Sequence, residues 1–242
     1  MFQQYYEIIT NKIDFILKTQ SDKLSAISDL MYETVKNDGI IHLFGSGHSH
    51  IISEDCFYRA GGFAPVNAIL YEPLMLHKSA VSSTIEERKS GIAGEVLDQY
   101  FCESKDILFI FSNSGINSVP IEMAISAKEK GITVIAITSM EHSTNSQSRH
   151  TSGKKLYEVC DYYIDNGSAY GDATIDVGMG VRTAPISSIT SIFIMQGLFT
   201  EVARKLVSVG INPPVYKSAN IEEADEYNTG LINKYKARIK HL

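Results

Sequence analysis

Twice in this chain an apolar run breaks off at a cluster of serines and glycines, and each time a helix-like stretch takes over. Ile40-Ile41-His42-Leu43-Phe44 runs into Gly45-Ser46-Gly47-His48-Ser49-His50. Ile107 to Phe111 stops at Ser112-Asn113-Ser114-Gly115, and an amphipathic segment then leads through Gly131 to a further apolar run, Ile132 to Ile137. A short apolar run bounded by turn residues reads as a strand buried on both faces, and such strands need helices above and below them. Strands alternating with helices imply a parallel sheet with right-handed crossovers.

The rest of the chain fits that plan. Residues 2 to 37 carry apolar positions at spacings near three and four, which predicts two helices with Ser21-Asp22 as the cap between them. A helix is expected over roughly Ser49 to Arg59, a second strand from Pro65 to Leu70, and helical spacing again from Ile92 to Phe101. Leu74 to Ser90 reads as irregular, Ser139 to Lys155 as a polar surface excursion, and the glycine-rich stretch Asp165 to Thr183 as a loop. Tyr162 to Ile164 supplies a fifth strand, Pro185 to Val209 a long helix, and Ile221 to Lys240 a polar terminal helix after Pro213-Pro214. The expected fold is an α/β three-layer αβα sandwich whose five-stranded parallel sheet has the order 2-1-3-4-5. It is read as one domain over 1–242, with amino-terminal helices at 1–37, an α/β core at 38–210 and a tail and helix at 211–242.

That strand order places a switch point between the first and third strands, where open α/β sheets bind ligands. The two serine–glycine turns lie there. Glycine lets backbone approach a ligand, free N–H groups at a helix start favour anions, and hydroxyls add donors. Gly47, His48, Ser49, Ser112, Asn113, Ser114, Asn117 and Ser118 are therefore the expected binding residues, the alternative being that Ser and Asn only cap helices. A nucleotide is a weaker reading. His50 stands where a dinucleotide motif has its third glycine, although Glu72 could imitate the acid that holds a ribose.

With 22 basic and 28 acidic residues the net charge is −6, which leaves no electrostatic footprint for nucleic acid or an anionic membrane. No apolar stretch is long enough to span a bilayer, and the first residues lack the basic and apolar regions of a leader, so a cytoplasmic location is expected. Cys56, Cys102 and Cys160 are far apart and support neither a disulfide framework nor a zinc site.

At these residues the chain resembles the sugar-isomerase (SIS) domain superfamily of phosphosugar-binding proteins. Gly45-Ser46-Gly47-His48-Ser49 matches its first turn, G-x-G-x-S, and Ser112-Asn113-Ser114-Gly115 with Asn117 its second, S-x-S-G-x-[ST]. Tyr58 to Gly62, Gly153 to Val159 and Pro213 to Asn220 look like a branch without a defined reaction, related to phosphoheptose isomerase. The resemblance implies a sugar phosphate held by the two turns, no cofactor, and a homodimer or higher homo-oligomer. It also implies hydroxyls from the start of the late helix, Ser187 and Ser188. Its members include isomerases, an etherase and non-catalytic sensors, so both an aldose–ketose isomerase and a sensor stay open. Asn117 departs from the usual threonine or serine, which shifts the expected phosphate donor toward Ser118 or an amide. The metal set of phosphoheptose isomerase needs a late-helix histidine that this chain lacks, and no metal is expected.

Isomerisation needs a base to carry a proton between adjacent carbons and an acid to assist. Glu54 leads because its helix begins at the first turn; Glu72 and His77 follow, with Asp55 and Glu86 or Glu87 as further candidates. His42 is expected to be a core residue with satisfied nitrogens, and His142, His150 and His241 to be solvated. Arg59, Lys78, Arg88, Arg149 and Arg182 could neutralise an anion.

Overall fold

The computed structural model describes residues 1–222 and 224–242; Glu223, within the expected terminal helix, lies outside the described residues. Two helices come first, α1 (Phe2–Thr19) and α2 (Ser21–Lys36). Ser21 is already helical, and Gln20 stands between the helices without a side-chain cap. The first strand, β1 (Ile41–Gly45), passes through one turn of 3-10 helix at Gly47–Ser49 into α3 (His50–Cys56) and then β2 (Val66–Ile69). Short helices α4 (Ala80–Glu86) and α5 (Ala93–Leu97) precede β3 (Ile107–Phe111), α6 (Ser118–Glu129) and β4 (Thr133–Thr138). There follow α7 (Met140–Thr144), α8 (Leu156–Val159), β5 (Tyr162–Asp165), β6 (Ala173–Asp176), β7 (Arg182–Pro185), α9 (Ser187–Ser208) and α10 (Ala224–Tyr235).

The sheet has the order β2-β1-β3-β4-β5 with every pair parallel. Successive side chains of a strand point to opposite faces, and the core divides accordingly. Ile41, Leu43, Ile107, Phe109, Phe111, Ile135 and Ile137 face α2, α3 and α9, while Phe44, Leu108, Ile110, Val134 and Ala136 face α5, α6 and α8. Helices on both faces make the three-layer α/β sandwich and explain why the strands are apolar without alternation.

Three stretches differ from the sequence-based expectation. The polar run Leu74 to Ser90 contains α4, which Ser79 caps by accepting from the Ser82 N–H (3.3 Å), while buried Ser83 donates to the Leu74 carbonyl (2.7 Å). The expected loop Asp165 to Thr183 folds back as an antiparallel β6–β7 hairpin, pairing Ala173 with Pro185 and Asp176 with Arg182. Arg182 donates to the Ala173 and Thr174 carbonyls (3.1 Å each) and so stitches this hairpin. The excursion Ser139 to Lys155 is not all surface, because Ser139 and Ser143 are fully buried.

At the amino ends of β1 and β3 a buried polar knot fastens the sheet to the chain's last turns. Asp106 accepts from Ile40 N–H (2.8 Å), Glu103 N–H (2.7 Å), His42 Nε2 (3.1 Å) and Arg238 Nη2 (2.6 Å). Asn67 Nδ2 donates to His42 Nδ1 (3.0 Å), so the imidazole has its proton on Nε2 and both nitrogens are satisfied. Burial pushes the Asp106 carboxyl up, but the His42 side chain and the two backbone N–H groups outweigh it and hold it below the usual range.

Candidate functional site

Each turn owes its shape to a glycine. A Cβ on Gly45 would lie 2.6 Å from the Ser49 carbonyl carbon and oxygen, so only glycine lets β1 pass this close to the turn that follows it. Gly115, with φ 62°, sits against the Thr138 and Ser143 hydroxyls, and its N–H donates to Ser112 Oγ (3.2 Å). His50, buried under the first turn, holds it through Nδ1 and the Gly47 carbonyl.

The two turns meet over the carboxyl ends of β1 and β3 around a cavity of about 350 Å³. Gly47, His48, Ser49, Ser112, Asn113, Ser114 and Asn117 line it, which brings together seven of the eight expected turn residues. Ser118 does not join them: it is buried as the first residue of α6. The third wall comes from the α4 region, where Leu76, Ala80 and Thr84 lead to Glu87.

Glu87 is the carboxylate of this cavity. One oxygen accepts from Ser46 Oγ (2.9 Å) and the other from Asn117 Nδ2 (2.8 Å), so the side chain spans the two turns. Burial raises its pKa above the ordinary glutamate value, opposed by the Ser46 hydrogen bond and by Arg88 and Arg149. Asn117 has both ends of its amide engaged, because Arg149 Nη1 donates to its Oδ1 (2.6 Å). Asn117 thus links Arg149 to Glu87.

His142, on α7, also lines the cavity and is only half-exposed, contrary to the expected solvated position. Its ring packs on Tyr170 with centroids 4.7 Å apart, and the Gly171 N–H donates to Nδ1 (3.4 Å), which leaves the proton on Nε2. Burial, with Arg149 adding to it, lowers the His142 pKa against Asp172 and Glu141, so the ring is neutral at pH ~7. Behind the second turn, Asn113 Oδ1 accepts from Asn166 Nδ2 and Ser168 Oγ (3.1 Å each). With its oxygen so occupied, the Asn113 amide keeps its nitrogen free as a donor.

The other expected residues lie elsewhere. Glu54, on the second turn of α3, does not line the cavity; its side chain is 45% exposed and lies 3.8 Å from Nε2 of the buried His50. Glu72 is exposed and paired with Lys78 (3.2 Å), and His77 is exposed on the same outer stretch. Ser187 donates to Asp172 Oδ2 (2.6 Å), and Asp172 Oδ1 accepts from the N–H groups of Ile186 (3.2 Å) and Ser187 (2.9 Å). This cap engages the Ser187 hydroxyl and the first N–H groups of α9, and neither Ser187 nor Ser188 lines the cavity. Among the described residues no group of three or more His, Cys, Asp or Glu side chains is placed to hold a metal ion, and no helix is long and apolar enough to cross a membrane.

Glu87 was one of the further candidate acids in the sequence and His142 was expected to be solvated, and the signal for each was weak. Glu87 stood among several acids, and only the path of α4 brings it between the turns. His142 lay in a stretch rich in serine and threonine, where a histidine has no periodic pattern to mark it as inward-facing.

Comparison with known proteins agrees with this architecture. A UPF0309 protein of Listeria innocua is 43% identical over 243 residues, covering 100% of this chain and 98% of the relative. The fold is similar to that of a phosphoheptose isomerase from Francisella tularensis, with a TM-score of 0.57 at 13% identity over 84% of this chain and 96% of the other. It is also similar to that of a phosphoheptose isomerase from Neisseria gonorrhoeae, with a TM-score of 0.54 at 15% identity over 84% of this chain and 97% of the other. The SIS domain family model matches residues 4–139, a span that contains both serine–glycine turns, and on that match and the full-length relative the chain belongs to the SIS domain family.

Proposed function

We propose that this protein binds a sugar phosphate in the cavity between the two turns and interconverts its aldose and ketose forms. The observation that carries this reading is the presence of Glu87, a carboxylate of raised pKa, in the same cavity as two turns rich in hydroxyl and N–H donors. The phosphate sits against Ser49, Ser112 and Ser114 and the Ser118 N–H at the start of α6, where the helix dipole favours a dianion without a lysine. The Val119 N–H is already given to the Glu87 carbonyl, and Pro120 has none. Glu87 then takes the proton from C2 of the aldose to leave an enediolate and returns it to C1, while the O2 hydroxyl proton is relayed to O1, so that the carbonyl moves from C1 to C2. His142, neutral with its proton on Nε2, donates to the substrate carbonyl oxygen as negative charge develops there. In this reading Glu87 takes the role for which Glu54 was expected, and Glu72 and His77 stay outside the reaction. The Francisella and Neisseria isomerases support the ligand class by analogy of fold.

The test is proton exchange. Pentose, hexose and heptose phosphates are incubated with the protein in deuterated water and followed by proton NMR. Loss of the C2 proton with appearance of the ketose is expected for at least one of them. If none exchanges and none raises the melting temperature, the reading fails.

A further inference from the structure

The segment from Ser139 to Lys155 is pinned to the second turn by its backbone. The Arg149 N–H donates to the Ile116 carbonyl (2.9 Å) and the Leu156 N–H to the Gly115 carbonyl (2.8 Å). Between these anchors Arg149 reaches the Asn117 amide oxygen (2.6 Å), and the amide nitrogen of the same side chain reaches Glu87 (2.8 Å). An asparagine amide has two orientations of nearly equal shape, one presenting a donor and the other an acceptor. Against a carboxylate oxygen only the donor orientation is favourable. A guanidinium has no acceptor and cannot be deprotonated, so Arg149 admits the amide oxygen on its side alone. The cation thereby fixes which face of Asn117 meets Glu87.

We propose that Arg149 is a positioning residue for the Glu87 carboxylate, acting through the Asn117 amide, and that the 139–155 segment which carries it is a working part of the cavity. The inference rests on Glu87 as the functional carboxylate, but its geometry does not depend on which substrate is bound. The other ionisable groups around Glu87 are His48 on the first turn, His142 on α7 and Arg88 beside it in sequence, while Glu86 turns away to Lys89. None of these touches Asn117 Oδ1, so without Arg149 the donor orientation of the amide is held by Glu87 alone.

The experiment follows the Glu87 carboxyl carbon by NMR in protein labelled at glutamate, titrated in the wild type, R149M, R149K, N117L and the R149M/N117L double variant. Arg149 is exposed and Asn117 lies at the start of α6, so near-native melting temperatures are required of each variant. The R149M midpoint is expected to rise, with R149K intermediate. In the N117L background the same Arg149 change is expected to shift it much less, because the relay is already cut. Equal shifts in both backgrounds would show a bare charge effect and overturn the proposal, as would no shift in R149M. A sugar phosphate exchange assay on the same samples reports separately on the proposed reaction, so a failed isomerase reading with an intact relay is recognisable.

Discussion

Replacing Glu87 by glutamine keeps the shape of the cavity carboxylate and removes its charge, and its surroundings set how much each property is felt. In the native site Ser46 donates to one oxygen and Asn117 to the other. Glutamine offers a single acceptor oxygen, so its nitrogen must face one of these partners. Ser46 can rotate its hydroxyl to accept, whereas Asn117 cannot turn while Arg149 holds its oxygen. The variant is therefore expected to place its oxygen toward Asn117 and its nitrogen toward Ser46. Both hydrogen bonds survive but lose their charge, a cost of about 1 kcal/mol each. Against this stands the desolvation of the native carboxylate. Its pKa is raised on folding, so folding takes up a proton between the unfolded and folded values, and above them the ionised group costs stability. At pH ~7 glutamine removes that cost, and the net change is expected to lie within about 1 kcal/mol, or roughly 2–4 °C in melting temperature. Turnover has no such compensation. Loss of a general base lowers it by about 10²–10⁴-fold, read as the rate of C2 deuterium exchange, while sugar phosphate still protects the fold in a thermal shift assay. Exchange within about tenfold of the wild type would refute the assignment of Glu87 as the base.

Asp106→Ala orphans the buried Ile40 N–H and separates His42 and Arg238 from their common acceptor, and is expected to cost about 3–5 kcal/mol in urea denaturation. The Asp106 pKa is lowered on folding, so its contribution is present above the ordinary aspartate range and fades as pH falls through the folded value. Urea midpoints of wild type and variant should therefore converge in acid. Gly45→Ala forces a Cβ to 2.6 Å from the Ser49 backbone, and is expected to cost about 1–3 kcal/mol and to weaken sugar phosphate binding measured by calorimetry. Asp172→Ala removes the cap of α9, and its melting temperature should fall by an amount equivalent to about 1 kcal/mol.

How much was legible in the sequence divides along a physical line. The strands and the two turns follow from local signals, because apolar runs such as Ile107 to Phe111 and the close approach at Gly45 impose themselves within a few residues, whereas the strand order rests on the commonest arrangement for five such strands. Glu87, His142 and Arg149 carry no such local mark. Tertiary docking places each of them, Glu87 in the cavity by α4, which has only seven residues, and Arg149 against Asn117 by a backbone bond to Ile116. The β6–β7 hairpin hid for a different reason. Its strands have four residues each and flank Gly178 and Gly180, too little length for alternation to register. Nothing in the sequence signals that Asp172, fifteen residues before Ser187, is returned by the hairpin to the helix start, where it accepts from the Ser187 N–H and hydroxyl.

The knot around Asp106 and the cavity around Glu87 occupy opposite ends of the same strands. From His42 to Ser46 is four residues, about 13 Å of extended chain. Sites farther apart than about 7–10 Å and without shared partners combine their effects additively. Changes that re-cut the cavity through α4 or the 139–155 segment should therefore leave the fastening of the sheet untouched, and reinforcement at the knot should carry through unaltered into every cavity variant. Such a layout suits the chain to directed evolution, since stability can be raised first and recognition reshaped afterwards.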